Sequence, residues 1–318
     1  MNTGRNNFYS VSFILLLINS TFISKCTAPL NKPHDLSYTL KKPDKTYVLQ
    51  KTLKEVSGLS FVSDKEVALI EDENGAVFFF NLEKGMVTRK ISFAKDGDYE
   101  DLKIIGDTAY ILRSDGKLVE LKNLKGPQSD ILETKYQTGL SKENNTEGLC
   151  YDDKRNMLLI ACKGSPGKDN KYKNKKAIYS FNLQTKKLSD TAVFLIDVNQ
   201  VELMAYGAHP NFLSKLMRFY RHTKEKGIEP SGLAIHPVTR DIYVISSVGK
   251  ELIIIGQDGK LKKVVKLAIN LFKQPEGIAF DSSGNLYITN EGRNGKGNIL
   301  KFLYLKNDAA SNPPASAL

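Results

Sequence analysis

Five short stretches of this 318-residue chain repeat one arrangement, a carboxylate close before the residue that opens an apolar run. They are Glu55-Val56-Ser57-Gly58-Leu59, Asp98-Tyr99-Glu100-Asp101-Leu102, Asn145-Thr146-Glu147-Gly148-Leu149, Glu229-Pro230-Ser231-Gly232-Leu233 and Gln274-Pro275-Glu276-Gly277-Ile278. In three copies the acid directly precedes the glycine, or the aspartate that replaces it: Glu100, Glu147 and Glu276. The other two have Ser57 and Ser231 there and carry the acid two residues earlier, as Glu55 and Glu229. No copy lacks a carboxylate. Carboxylates brought together in a narrow space repel one another, so some take up protons or a cation neutralises them. Oxygen donors from carboxylates, serines and backbone carbonyls suit a hard ion and favour Ca²⁺ over Zn²⁺. The four histidines, His34, His209, His222 and His236, are not spaced as a zinc pair. Neither a Ser-His-Asp order nor a Gly-x-Ser-x-Gly elbow is present, so nucleophilic catalysis has no visible apparatus. The plain alternative is architectural, with the motif capping strand starts through hydrogen bonds between neighbouring repeats.

The elements that would position these acids are short strands. After the first copy come Gly58–Val62, Val67–Ile70, Ala76–Phe80 and Val87–Phe93, separated by the turn residues Ser63-Asp64, Glu73-Asn74-Gly75 and Glu83-Lys84-Gly85. Four strands with such spacers form one antiparallel meander, the unit of a propeller blade. The pattern recurs after every copy, and the fifth unit lacks its fourth strand. Tyr47–Leu53, a strand pattern without a blade, is expected to supply it and close the ring. Gly58 to Asp101, Asp101 to Gly148 and Gly232 to Gly277 are 43, 47 and 45 residues, lengths suited to four-stranded blades. Gly148 to Gly232 is 84 residues, which leaves a six-bladed count as the alternative. Residues 199–228 lack strand alternation, however. Phe212, Leu213, Leu216, Met217, Phe219 and Tyr220 recur at helical spacing behind Asn211 as N-cap. The expectation is an all-β, five-bladed propeller with one short helical insertion. Its inner strands line a channel, and the five acids stand near one channel mouth. The motif glycines allow close backbone approach or positive φ where the inner strand begins. A second ring, at the ends of the second strands, holds Asp72, Arg113, Lys163, Asn290 and Glu291 as a candidate ligand face.

The net charge of +11 raises nucleic-acid binding. No helix-turn-helix, zinc-finger or stacking pattern accompanies it, so that class is set aside. Contact with an anionic lipid leaflet accounts for the excess equally well. Much of it lies in the Lys-rich stretch 163–176 and in Arg218, Arg221, Lys224 and Lys226, where solvated surface is the plain reading. The N-terminus reads as an export signal over 1–25, with Arg5 ahead of an apolar stretch too short and polar for a membrane span. Ile23-Ser24-Lys25-Cys26 resembles a lipobox. Cys26 is therefore the expected lipidation site (a palmitate-type acyl anchor), with Lys25 a departure from the small residue usual there. Residues 26–43, with Pro29, Pro33 and Pro43, read as a linker, 44–306 as the propeller and 307–318 as a disordered tail. Cys150 and Cys162 are out of register for a disulfide across their hairpin and read as buried free thiols.

Glu55–Leu59, Tyr99–Leu102, Thr146–Leu149, Pro230–Pro237 and Pro275–Phe280, followed by Asp281–Ile288, resemble the SdiA-regulated family over roughly residues 45–305. The resemblance implies a five-bladed propeller, distantly similar to NHL-repeat proteins, with a calcium site and no established activity. It assigns no ligand residue by residue; Glu100, Glu147, Glu276, Glu55 and Glu229 come from the channel argument. The function expected first is a calcium-binding or scaffold propeller of the cell envelope. It is lipid-anchored at the outer membrane or cell surface (alternatively periplasmic or secreted), with an unidentified small-molecule or protein ligand. A metal-dependent lactonase, esterase or phosphoesterase at the channel mouth is the alternative. Binding to a membrane surface or polyanion through the basic segments ranks third.

Overall fold

The computed structural model describes residues 36–207 and 227–305. The expected lipidation site Cys26, the tail expected over 307–318 and the helix expected over 211–226 lie outside them. No helix among the described residues is long and apolar enough to cross a membrane, which says nothing of a β-barrel.

Five antiparallel sheets follow one another along the chain, each a blade. Strand β1 (Lys45–Val48) precedes the first blade, which runs β2 (Val56–Ser63), β3 (Glu66–Glu71), β4 (Asn74–Asn81) and β5 (Met86–Asp96). The second runs β6 (Tyr99–Ile105), β7 (Thr108–Arg113), β8 (Leu118–Lys122) and β9 (Leu132–Tyr136). The third runs β10 (Thr146–Asp152), β11 (Met157–Cys162) and β12 (Lys175–Asn182), then β13 (Lys187–Leu188) and β14 (Phe194–Asp197). The fourth runs β15 (Glu229–Ile235), β16 (Ile242–Val248), β17 (Glu251–Ile255) and β18 (Leu261–Lys266). The fifth has β19 (Pro275–Phe280), β20 (Leu286–Asn290) and β21 (Asn298–Phe302), and β1 pairs with β21 as its fourth strand. The six-blade alternative is thereby excluded. The long third interval comes from the stretch 163–174 and from the insertion after β14.

Closure works as the missing strand implied, over a shorter span. Lys45 pairs with Lys301 and Val48 with Asn298, and Lys51–Leu53 turn into a 3₁₀ helix instead of extending the strand. The turn drops Leu53, fully buried, between the first and fifth blades. Burying such a leucine is worth about 1.5–3 kcal/mol. The outer edge of blade three is split. Strands β13 and β14 pair with opposite ends of β12, and Ser189 to Val193 bridge them. Part of the expected helical insertion is present as α1 (Val198–Tyr206). It is capped by Asp197, whose side chain accepts from the Asn199 and Gln200 amides.

The core is divided among the blade junctions. Leu69, Phe78 and Phe80 of the first blade pack on Tyr287 and Ile299 of the fifth. Ile70, Val77 and Phe79 pack instead on Leu102, Ile111 and Leu121 of the second. Alternate residues of one strand thus face different neighbours, which is why strands such as β3 and β4 are apolar on both faces. The outer β5 faces solvent and alternates. The linker expectation does not hold up to residue 43. Tyr38 and Leu40 are buried in the junction of the fourth and fifth blades. There the Tyr38 hydroxyl donates to the Gly284 carbonyl and meets His236 Nε2 at 2.7 Å.

Candidate functional site

In every blade the inner strand begins with a β-bulge at the motif. Val56 pairs with Glu71 but Gly58 with Ile70, leaving Ser57 unpaired. The register breaks likewise between Tyr99 and Asp101, Thr146 and Gly148, Pro230 and Gly232, and Pro275 and Ile278. A bulge frees one residue from the ladder and re-aims its side chain. The freed position is that of Ser57, Glu100, Glu147, Ser231 and Glu276. The following glycine is needed for space, since no motif glycine has positive φ. A Cβ on Gly58 would stand 2.7 Å from Asp101 Cα, and one on Gly232 would strike the Glu276 carbonyl oxygen. Around Gly58 and Gly232 the inner strands approach too closely for a side chain, whereas blade two admits that of Asp101 at the equivalent position.

The serine copies are architectural. Ser57 Oγ donates to the Tyr99 carbonyl at 2.8 Å and Ser231 Oγ to that of Pro275 at 2.9 Å, each in the next blade. Among the described residues the glutamate copies make no such bond to the next blade; Glu147 accepts from Asn145 Nδ2 at 3.3 Å and pairs with Lys163. Burial pushes the carboxyls of Glu100 and Glu147 up from the usual range. Glu147 and Asp98 push Glu100 further, against the pull of Lys163. Burial and then Glu147 raise Glu276 to about 8. Glu147 is buried, whereas Glu100 and Glu276 keep part of their surface open to the mouth. The Lys163 ammonium stands among these acids, 2.6 Å from Glu147 and 3.9 Å from Glu229.

The five acids are not equivalent. Glu229 joins the inner ring through Lys163. Glu55 pairs instead with Lys54 at 3.5 Å and, with Glu291, raises the carboxyl of Asp72. Asp98, which sequence reasoning passed over, belongs to the ring and accepts from Ser114 Oγ. A signal for it existed, because Asp98 stands two residues before Glu100, the spacing that Glu55 and Glu229 use. Also unforeseen is an ion pair beneath the mouth. Lys103 Nζ donates to the Leu59 carbonyl at 2.9 Å and lies 3.6 Å from Asp101. Asp101 accepts from the Leu102 and Leu149 amides and rises to about 6, since burial outweighs these partners.

The second ring lies at the same mouth, because each second strand ends where its inner strand begins. Burial, then Glu55, Glu71, Glu73 and Glu291, push Asp72 up to about 6. Arg113 pairs with Asp115 at 3.3 Å, its guanidinium 5.8 Å from the centre of the Tyr99 ring. Asn290, fully buried, donates from Nδ2 to Asn298 Oδ1 at 3.1 Å. Glu291 accepts from Gln274, and burial raises its carboxyl. Among the described residues the buried side-chain atoms without a hydrogen-bond partner are Asp72 Oδ1, Arg113 Nε and Asn290 Oδ1. All three belong to this ring, on consecutive blades.

The Lys-rich stretch 163–176 also rises at this mouth, but several of its lysines are engaged. Lys171 pairs with Asp169, Lys175 with Asp197, and Lys176 donates to the Lys163 carbonyl. Cys150 and Cys162 are free and buried; Cys162 pairs across the hairpin with Thr146 and Cys150 with Leu159. A separate cavity of about 170 Å³, lined by Ser60, Lys103, Cys150 and Ala234 among others, lies farther along the inner strands.

The model of the SdiA-regulated family matches residues 37–222 and 221–294. The chain belongs to the SdiA-regulated family. No curated protein sequence matches it. Among solved structures it is similar to the glutaminyl cyclase of Myxococcus xanthus. Identity is 13%, the match covers 82% of this chain and 95% of that one, and the TM-score is 0.53. It is also similar to virginiamycin B lyase from Staphylococcus aureus, at 15% identity over 77% of this chain and 66% of that one, with a TM-score of 0.41. At its low identity the first of these likenesses speaks for the fold alone. For a family whose resemblance implies calcium, the donors at this mouth fit in kind: oxygen atoms, buried, short of positive charge. The carboxylates stand apart from one another, however: among the described residues no three His, Cys, Asp or Glu side chains form a ready ligand group.

Proposed function

We propose that this SdiA-regulated protein is a binding propeller of the cell envelope, tethered to the membrane by a lipid on Cys26. It takes Ca²⁺ and an unidentified small-molecule or protein ligand at the acid-lined mouth. One observation carries this reading: the partnerless buried polar atoms Asp72 Oδ1, Arg113 Nε and Asn290 Oδ1 share one mouth with a ring of glutamates whose charging the fold resists. Unsatisfied buried groups are rare in native proteins and point to a missing ion, water or ligand. Bound calcium would be held by carboxylates of the Glu100, Glu147, Glu229 and Glu276 set. Its chemistry there would be charge neutralisation, and it would polarise an oxygen placed against it. The chain's own residues orient the site: the bulges aim the glutamates, Ser57 and Ser231 hold the neighbouring inner strands, and Asp101 ties three of them together.

Titration of the purified protein to millimolar Ca²⁺ should raise its melting temperature through linkage, and Glu147→Gln should diminish the rise. Absence of any calcium-dependent shift refutes the reading. A metal-dependent hydrolase (lactonase, esterase or phosphoesterase) is favoured by a different observation. Glu276, raised to about 8, holds its proton at neutral pH as a general acid must. Turnover of such substrates that survives Glu147→Gln and Glu276→Gln together would exclude chemistry at this mouth.

A further inference from the structure

The ring of carboxylates already contains a cation of its own. Lys163 follows β11, and its backbone is fixed on both sides. Its amide donates to the Asn145 carbonyl at 2.8 Å, and its carbonyl accepts from Lys176. The side chain is therefore directed inward, about three-quarters covered (26% exposed), with Nζ 2.6 Å from Glu147. Its charge reaches Glu100 and Glu276 as well as Glu229. Arg113, at the same mouth, is turned to Asp115. The Lys176 ammonium also acts on Glu229 and Glu147, and two ammonium groups cannot balance Glu100, Glu147, Glu229, Glu276 and Asp98 all ionised, so full ionisation of the ring needs a further cation. The fully buried Asn290 Oδ1 at this mouth is left without a donor.

We infer that Lys163 is a tethered competitor for the cation of this site. Its ammonium holds the Glu147 oxygen that a divalent ion would gather together with its neighbours, and it repels that ion at short range. Calcium therefore binds only as the Lys163 side chain gives way. This explains why a mouth rich in carboxylates shows no ready three-carboxylate group. The inference rests on the calcium reading above and adds the residue that sets its affinity.

Calorimetric titration of Ca²⁺ into the wild type, Lys163→Met, Lys163→Arg and Lys168→Met tests it, with metal-free melting curves to verify folding. Lys163→Met should bind calcium at least about tenfold more tightly than the wild type. Lys163→Arg, which keeps the charge, and Lys168→Met, farther along the same loop, should bind as the wild type does. Should Lys163→Met fail to fold, Lys163→Gln carries the same expectation. Calcium binding that is equal in all four proteins, or weaker in Lys163→Met, overturns the inference and leaves the calcium reading standing. Binding in none of them removes the calcium reading and the inference with it.

Discussion

Glu276→Gln removes a carboxyl whose ionisation the fold opposes, and its effect should depend on pH. In the folded protein the group ionises near pH 8, against its ordinary value of 4.5. The causes are burial, then the Glu147 charge, opposed by Lys163 and by a hydrogen bond from Gln274. A folded value above the unfolded one means that the contribution to stability is complete below about pH 4.5. It is lost as the pH rises through about 8. At about 1.36 kcal/mol per unit the ceiling of the loss is about 5 kcal/mol. Part of the side chain is open to the mouth, and solvent screening there reduces the expectation to about 1–2 kcal/mol. For a domain of this size that is roughly 3–6 °C in melting temperature. Thermal unfolding in chelator at pH 5 and pH 9 measures it. Glutamine has the same shape and no charge, so the variant should lose less stability than the wild type between the two pH values, by that margin. Acids outside the ring titrate alike in both proteins and cancel; Glu100, which feels the Glu276 charge, titrates more easily in the variant and adds to the difference in the same direction. Superimposable pH profiles would refute the assignment of Glu276 as an uncompensated buried acid.

Two further substitutions probe the frame around the site. Gly232→Ala places a methyl group against the Glu276 carbonyl oxygen where inner strands meet. It should cost about 1–3 kcal/mol in urea unfolding, and wild-type stability would contradict the close-approach role of the motif glycine. Tyr38→Phe should cost about 1–3 kcal/mol, because two groups lose their partner. His236 Nδ1 accepts from the Val238 and Thr239 amides, so Nε2 carries the proton and donates to the Tyr38 hydroxyl, which donates onward to Gly284. Equal unfolding free energies for this pair would show that the 36–44 segment is not latched to the propeller.

Much of the architecture was legible because each blade carries its own record. Alternating apolar runs, turn residues between them and a repeat of near-constant length are local properties of the chain, and they led to five meanders. The orphan strand at the start and the gap at the end together implied the closure of the ring. Its boundaries were less legible. Lys51–Leu53 read on from Tyr47 as one strand, and only the junction that receives Leu53 decides that they turn inward. Tyr38 and Leu40 sit among prolines and polar residues, and their burial depends on a groove made by blades four and five.

For the site, the sequence by itself determined which residue types stand at the head of each inner strand and that every blade has an acid there. Composition and spacing suffice for that, because the repeat puts equivalent positions at equivalent heights. The tertiary structure alone decided which acids share a charge environment. Glu229 reaches Lys163 across a blade junction, whereas Glu55 turns to Lys54 and Asp72. That division depends on side-chain directions and on the loop that returns Lys163 to the ring. Electrostatic energy depends on distance in space: Lys163 meets Glu147 across one hairpin, and Glu229 joins them only when blades three and four pack together.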